Sequence, residues 1–177
     1  MTAEIRSVSY RELISGNKNF RNLWLGQIIS LMGDWFNLIA TAILTANLTG
    51  SGLAVGGLFV IRSLAQFVSS PFGGVLADRF NRKKILIWSD ILRFFIVLGF
   101  LLVKDASQIW LLYTLTALQL GISGIFFPTK DAILPDVVSE DEIGTANALT
   151  ATTWSTMLAL GAFLGGQVAG PWGIAPA

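Results

Sequence analysis

Apolar runs approaching twenty residues recur along this chain, over about residues 23–47, 53–76, 85–103, 109–127 and 146–170. A helix of roughly 20 apolar residues is what it takes to cross about 30 Å of hydrocarbon. Charged residues make up 13% of the 177-residue sequence, against about 25% in an ordinary soluble domain. The runs and the shortage of charge together predict an all-α membrane protein with about five transmembrane helices.

The charged residues that remain fall between the runs. Residues 1–19 form a polar segment with no apolar core of signal-peptide length, so the first helix is expected to insert uncleaved. Leu48-Thr49-Gly50-Ser51 is a short turn, and a charged loop around Asp78 to Lys84 separates the second and third runs. The fourth run is expected to stop at Pro128. A polar, acidic connection follows, in which Ser139 and Glu142 have the spacing of a capping box and predict a helix start. Lysine and arginine set the orientation. With the N-terminus in the cytoplasm, Arg6, Arg11, Lys18, Arg21, Arg79, Arg82, Lys83, Lys84 and Lys130 lie inside and only Lys104 lies outside. The sequence therefore predicts a multi-pass protein of the cell membrane with a cytoplasmic N-terminus. Trp24, Trp88, Trp110 and Trp172 stand near the ends of runs, as interfacial anchors do.

Several chemistries find no residues here. Cysteine and histidine are absent, which removes disulfides, Cys/His metal sites and the side chain best suited to titrate near neutrality. Proton chemistry then falls to carboxylates. No catalytic motif, phosphate-binding loop or metal-ligand spacing is visible, so no enzyme activity, cofactor or metal is expected. The basic loop is too short and too close to the membrane to suggest nucleic-acid binding.

Polar residues inside a membrane span are costly and mark function by default. In the first run Gln27, Ser30, Asp34, Asn37, Thr41 and Thr45 are spaced 3, 4, 3, 4 and 4 apart, which puts them on one helical face. Such a stripe should face protein or a water-filled cavity. Arg62, Gln66 and Ser69 form a similar stripe in the second run, and Thr116, Gln119 and Ser123 a weaker one in the fourth. At about 1.5 Å per residue, Asp34 lies roughly 17 Å from its cytoplasmic end and Arg62 roughly 14 Å from its outer end. The two could pair near the midplane, either to set helix packing or to line a pathway for substrate or protons. Asp90 and Arg93 have i,i+3 spacing and read as a local intrahelical pair. In the fifth run Gly161 and Gly165, then Gly166 and Gly170, each form a GxxxG, which favours close helix packing.

The stretch Gly74-Val75-Leu76-Ala77-Asp78-Arg79-Phe80-Asn81-Arg82-Lys83-Lys84-Ile85-Leu86 resembles the signature between helices 2 and 3 of the major facilitator superfamily. Its departure is Asn81 in place of glycine; asparagine also tolerates the left-handed conformation, so the turn is expected to survive. Gly161-Ala162-Phe163-Leu164-Gly165-Gly166 resembles the fifth-helix antiporter motif, with Ala162 for proline. Phe127-Pro128, Leu134-Pro135-Asp136 and Ala146-Asn147-Ala148-Leu149 are similar to the macrolide-efflux and siderophore-exporter branch, as are Asn19 to Trp24 and Gly33-Asp34. The fourth-helix arginine of the family is not kept: Ala117 stands in its place.

The resemblance implies five helices of a six-helix N-terminal bundle, with residues 171–177 a truncated end and a C-terminal bundle of the same protein missing. It implies a conformational gate at Gly74, Asp78, Arg79 and Arg82, with Asp131 as a further member. Candidate pathway residues are Gln27, Ser30, Asp34, Asn37, Thr41, Arg62, Gln66 and Gln119. The expected activity is secondary, proton-coupled export of a drug-like or other amphipathic small molecule, macrolide- or siderophore-like. Metabolite uptake, facilitated diffusion and a non-transporting membrane interaction module are the alternatives. Expected partners are the substrate, protons, the lipid bilayer and the second bundle.

Overall fold

The structure is a computed structural model in which residues 8–169 are described. Its elements are α1 (Tyr10–Gly16), α2 (Lys18–Thr49), α3 (Gly52–Arg79), α4 (Arg82–Gly99), α5 (Ile109–Val137) and α6 (Glu140–Ala169), with short 3₁₀ turns at Phe100–Leu102 and Ala106–Gln108. Among the described residues, five helices are long and apolar enough to cross a membrane, beginning at Lys18, Gly52, Arg82, Ala106 and Glu140. An all-α membrane bundle is thus what the sequence folds into.

Local chemistry explains the helix ends. Asn17 caps α2 by accepting the Phe20 amide. Gly50 ends α2 in the left-handed region at φ 60°, where glycine carries no Cβ penalty. Ser51 caps α3 through the Ala54 amide at 3.3 Å. At the start of α6, Glu142 accepts the Ser139 amide at 3.0 Å, the reciprocal half of the expected capping box.

Two expectations need correction. The fourth run does not stop at Pro128: α5 passes through both Pro128 and Pro135. Proline removes one intrahelical bond, but a membrane helix tolerates this where neighbouring helices meet the freed carbonyl. Here the carbonyl of Gly124, four residues before Pro128, lies against Gly73 of α3. Nor does Asn81 take the left-handed conformation. It sits at φ −65°, ψ 109° as the N-cap of α4, accepting the Lys84 amide at 3.1 Å. The asparagine side chain does here what a glycine could not.

The helices pack as two parallel pairs. Helices α3 and α5 run together: Tyr113 Oη donates to the Ala54 carbonyl at 2.6 Å, and Gly73 meets Gly124 and Ile125 further along. Helices α2 and α6 run together through Trp24 Nε1 to Thr153 Oγ1 at 2.8 Å, the edge-to-face pair Trp35–Trp154, and Gly165 against Ile39. Helix α4 lies antiparallel to α5, with Gly99 beside Leu115 and Arg93 beside Ser123. Apolar clusters close the two ends. One joins Leu13 of α1 to Phe20, Leu134 and Ala146; the other joins Leu58, Val103 and Leu112. The outward faces carry large apolar side chains such as Ile29, Leu53, Phe67 and Leu101, as a lipid-facing surface requires. Between the two apolar ends, buried polar side chains gather among a few apolar ones such as Leu31, Leu120 and Phe126.

Candidate functional site

That polar interior centres on Arg93 of α4, whose side chain is 6% exposed. Its Nη1 donates to Asp34 Oδ2 of α2 at 2.8 Å and to Ser123 Oγ of α5 at 3.3 Å. Its Nη2 donates to Asp90 Oδ1 and to Ser30 Oγ, the latter at 3.0 Å. The guanidinium also lies over the Phe126 ring, 4.6 Å from its centroid. One cation on α4 therefore ties two carboxylates and two hydroxyls across three helices. Ser30 donates in turn to Asp90 Oδ1 at 2.8 Å.

The network continues along α5. Gln119 Nε2 donates to Asp34 Oδ1 at 3.3 Å, and Asn37 Nδ2 donates to Gln119 Oε1. Both amides are buried, and each is satisfied by a neighbour of complementary polarity, as buried polar groups require. The stripe on α2 is split. Ser30, Asp34 and Asn37 reach across to other helices. Thr41 and Thr45 are buried but return their hydroxyls to the carbonyls of Asn37 and Thr41, which satisfies them within their own helix.

This geometry corrects the expected pairing. Asp34 is bound by Arg93, not Arg62, and both of its oxygens are occupied. Asp90 and Arg93 do pair, but the pair is not merely local, because the same guanidinium holds Asp34. Spacing along one helix could not reveal this. The signal available was a cation within an apolar run, able to face Ser30 and Asp34 of the first stripe. Arg62 forms no salt bridge among the described residues, and its Nη1 is buried without a hydrogen-bond partner. Gln66, one turn on, is exposed.

Two cavities open beside the cluster. One, of about 470 Å³, lies between α2, α4 and α5 and is lined by Gln27, Asp90 and Phe126, with Lys83 and Lys130 also on its wall. The other, of about 480 Å³, is lined by Gln27, Gln66, Lys130, Asn147, Thr150 and Trp154. Gln27 of α2 borders both.

At the α3–α4 turn, Arg82 reaches back to the Ala77 carbonyl at 3.1 Å and across to α5, where Nη1 meets the Ala132 carbonyl at 2.9 Å and Asp136 Oδ2 at 2.6 Å. The acidic partner on α5 is thus Asp136. Asp131 instead pairs with its neighbour Lys130 at 2.9 Å. Asp78 and Arg79 are exposed on the last turn of α3, and among the described residues neither forms a salt bridge. Space at Gly74 is open, whereas a Cβ at Gly73 would meet the Gly124 carbonyl and Ile125 Cα at 2.9 Å.

The fifth-run glycines divide in the same way. Gly161 lies against Trp35 and Gly165 against Ile39, both on α2, while Gly166 faces open space. Gly170 lies outside the described residues. A further close approach, Gly73 and Gly124 between α3 and α5, was not foreseen, although each glycine is visible inside an apolar run. Nor was the role of Asn17, whose Nδ2 donates to the Val137 carbonyl at 2.8 Å and to Glu142 Oε2 at 3.0 Å.

Residues 23–177 match the family profile of the Major Facilitator Superfamily. The chain is 32% identical over 159 residues to an uncharacterized MFS-type transporter, YfiS, of Bacillus subtilis (strain 168), covering 89% of this chain and 37% of that protein. It is 34% identical over 149 residues to BacE of the same organism, named a candidate bacilysin exporter, covering 84% and 36%. It is 32% identical over 168 residues to multidrug resistance protein MdtG of Salmonella paratyphi C (strain RKS4594), covering 92% and 41%. The chain spans about two fifths of the length of these curated relatives. No solved structure matches it significantly.

Proposed function

The chain belongs to the major facilitator superfamily, and on that premise we propose that it supplies the first-bundle helices of a secondary exporter of amphipathic small molecules. The observation that carries the reading is the Asp34–Arg93–Asp90 cluster, bound across three membrane helices. Ionisable groups at that depth are costly even when paired, and by default they mark a substrate or proton pathway. Relatives named for multidrug resistance and bacilysin export support the same direction and cargo class.

Coupling to protons is assigned to Asp34. With both carboxylates ionised the cluster carries one net negative charge, and binding one proton neutralises it. Asp34 connects that event to Gln119 and Asn37 on one side and to Arg93 on the other. Asp90 faces the same cation and borders a cavity. Arg62 is the other charged residue in the interior of these helices.

Gating is assigned to the α3–α4 turn, at Gly74, Asp78, Arg79 and Arg82, with Asp131 nearby on α5. Arg82 anchors the turn to α5 through Asp136. Exposed Asp78 is left to meet a second bundle, and contacts of that kind can form in one state and break in another. The N-terminus is assigned to the cytoplasm from the distribution of lysine and arginine.

The experiment follows three amphipathic fluorophores, one cationic (ethidium), one neutral and one anionic, in everted vesicles carrying the protein from its complete reading frame. Uptake driven by an imposed proton gradient is expected for the wild type and its loss for Asp34→Asn. Gradient-driven uptake unchanged in Asp34→Asn would remove Asp34 from the coupling, and no uptake of any of the three by the wild type would overturn the export reading.

A further inference from the structure

Among the described residues, three buried nitrogens lack a hydrogen-bond partner: Trp35 Nε1, Arg93 Nε and Arg62 Nη1. They are not equivalent. Trp35 is neutral and packs edge-to-face on Trp154. Arg93 uses its other two nitrogens on four oxygen acceptors. Arg62 is the residue without a direct partner: among the described residues it forms neither a salt bridge nor a side-chain hydrogen bond, and Asp34 acts on it only at longer range.

The shortage is one of arrangement rather than number. The charged residues within the interior stretches of α2 to α4 are Asp34, Arg62, Asp90 and Arg93, two of each sign. Arg93 holds both acids. Asp34, the acid that could have answered Arg62, has one oxygen on Arg93 and the other on Gln119. Arg62 lies ten residues into α3, roughly 15 Å from its start at about 1.5 Å per residue, which is mid-membrane depth. A guanidinium there is costly unless an anion or carbonyl pairs with it.

Its position points inward. Along α3, Leu58, Arg62, Gln66, Ser69, Gly73 and Ala77 repeat at spacings of 4, 4, 3, 4 and 4, one helical face. Leu58, Gly73 and Ala77 of that face are buried, and Gln66 lines the cavity shared with Gln27, Asn147 and Trp154. Arg62 therefore stands one turn above a cavity wall, on the face that carries that wall. A planar guanidinium with open donors suits a carboxylate or another planar oxyanion.

We propose that Arg62 is a specificity-determining residue that binds an anionic group, a carboxylate or similar oxyanion, on the exported molecule. The inference rests on the export reading. It differs from that reading in naming a charge on the cargo and a residue that selects it. An acidic side chain from a second bundle would offer Arg62 the same chemistry, and the test separates the two sources.

The test uses the protein from its complete reading frame, purified in lipid nanodiscs, with 1-naphthaleneacetate and its neutral amide as matched probes and tryptophan quenching as the readout. The wild type is expected to bind the acid at least about tenfold more tightly than the amide, since one charge-assisted hydrogen bond is worth that much. Arg62→Gln should level the two affinities by weakening only the acid, and Arg62→Lys should restore part of the preference. Equal affinities in the wild type, no binding of either probe, or a preference that survives Arg62→Gln would each overturn the proposal; an acidic side chain already seated on Arg62 gives the first result. Circular dichroism of each variant checks that its helices are retained. Uptake of the three fluorophores into vesicles tests the export reading separately: a wild type that moves any of them but does not distinguish acid from amide refutes the anion site alone.

Discussion

Replacing Arg93 with methionine, which keeps the length and removes the charge, should be among the most damaging single changes in the described bundle. Breaking a buried ion pair from one side costs about 3–5 kcal/mol, because the abandoned charge stays behind. Two features lower the figure. Asp90 has a side chain 45% exposed, so solvent screens its share. Interhelical polar contacts in a bilayer average only about 0.6 kcal/mol and reach about 1.7. One feature raises it: the contact with the Phe126 ring is worth roughly 1–2 kcal/mol when desolvated. Three interhelical bonds, to Asp34, Ser30 and Ser123, then give about 2–5 kcal/mol from contacts alone. The expected loss is about 3–5 kcal/mol. It can be measured by equilibrium unfolding in mixed detergent–SDS micelles, followed by far-UV circular dichroism. The cycle with Asp34→Asn is more telling than the single value. If Asp34 is stranded when Arg93 is lost, the double variant should be less damaged than the sum of the singles by about 1–3 kcal/mol. A loss below about 1 kcal/mol for Arg93→Met, or strict additivity with Asp34→Asn, would refute the view that this pair organises the interior.

Neighbouring glycines of α3 should respond in opposite ways. Gly73→Ala drives a Cβ into backbone atoms of α5 and should cost about 1–3 kcal/mol as overpacking, whereas Gly74→Ala meets open space and should gain up to about 1 kcal/mol of helix propensity; the same unfolding assay separates them. Asn81→Ala removes the cap on the Lys84 amide and should cost about 1 kcal/mol, while Asn81→Gly, the residue of the family signature, should cost only a few tenths.

The elements that were legible in the sequence are those governed by length and periodicity. Five apolar runs became five long helices, because hydrocarbon leaves a segment of that length little other choice. The stripe from Gln27 to Thr45 did turn inward: Gln27, Asn37, Thr41 and Thr45 are buried. What stayed hidden depends on the angular setting of one helix against another. Asp34 and Arg62 have comparable depths, which made them look like partners, but depth fixes only one coordinate. The third helix brings Arg93 to Asp34 from the other side. The same limit explains Asp131 and Asp136, five residues apart on α5, of which only the second turns toward Arg82. The extension of α5 through Pro128 was unreadable for a different reason. Proline disfavours a helix interior because it lacks the amide hydrogen and its ring crowds the carbonyl four residues back, and no one-dimensional pattern shows that a neighbouring helix will compensate for that carbonyl.

That last case joins three residues that the sequence presents separately. Pro128 deprives the Gly124 carbonyl of its intrahelical donor. Gly124 has no side chain, so α3 can approach until Ser69 and the Gln66 carbonyl stand where a Cβ would be. Gly73, also without a side chain, then lies against that same freed carbonyl, with its would-be Cβ position 2.9 Å away. Each residue alone would weaken a helix: proline by a lost bond and glycine by its conformational entropy. Together they place two parallel helices closer than side chains permit, and they do so one and two turns from Gln66 along α3. The cost to each helix is offset at their shared surface. A bulky substitution at either glycine would therefore part the helices and also leave the Gly124 carbonyl unsatisfied. For that reason Gly73→Ala should do more harm than its single methyl would in an ordinary core.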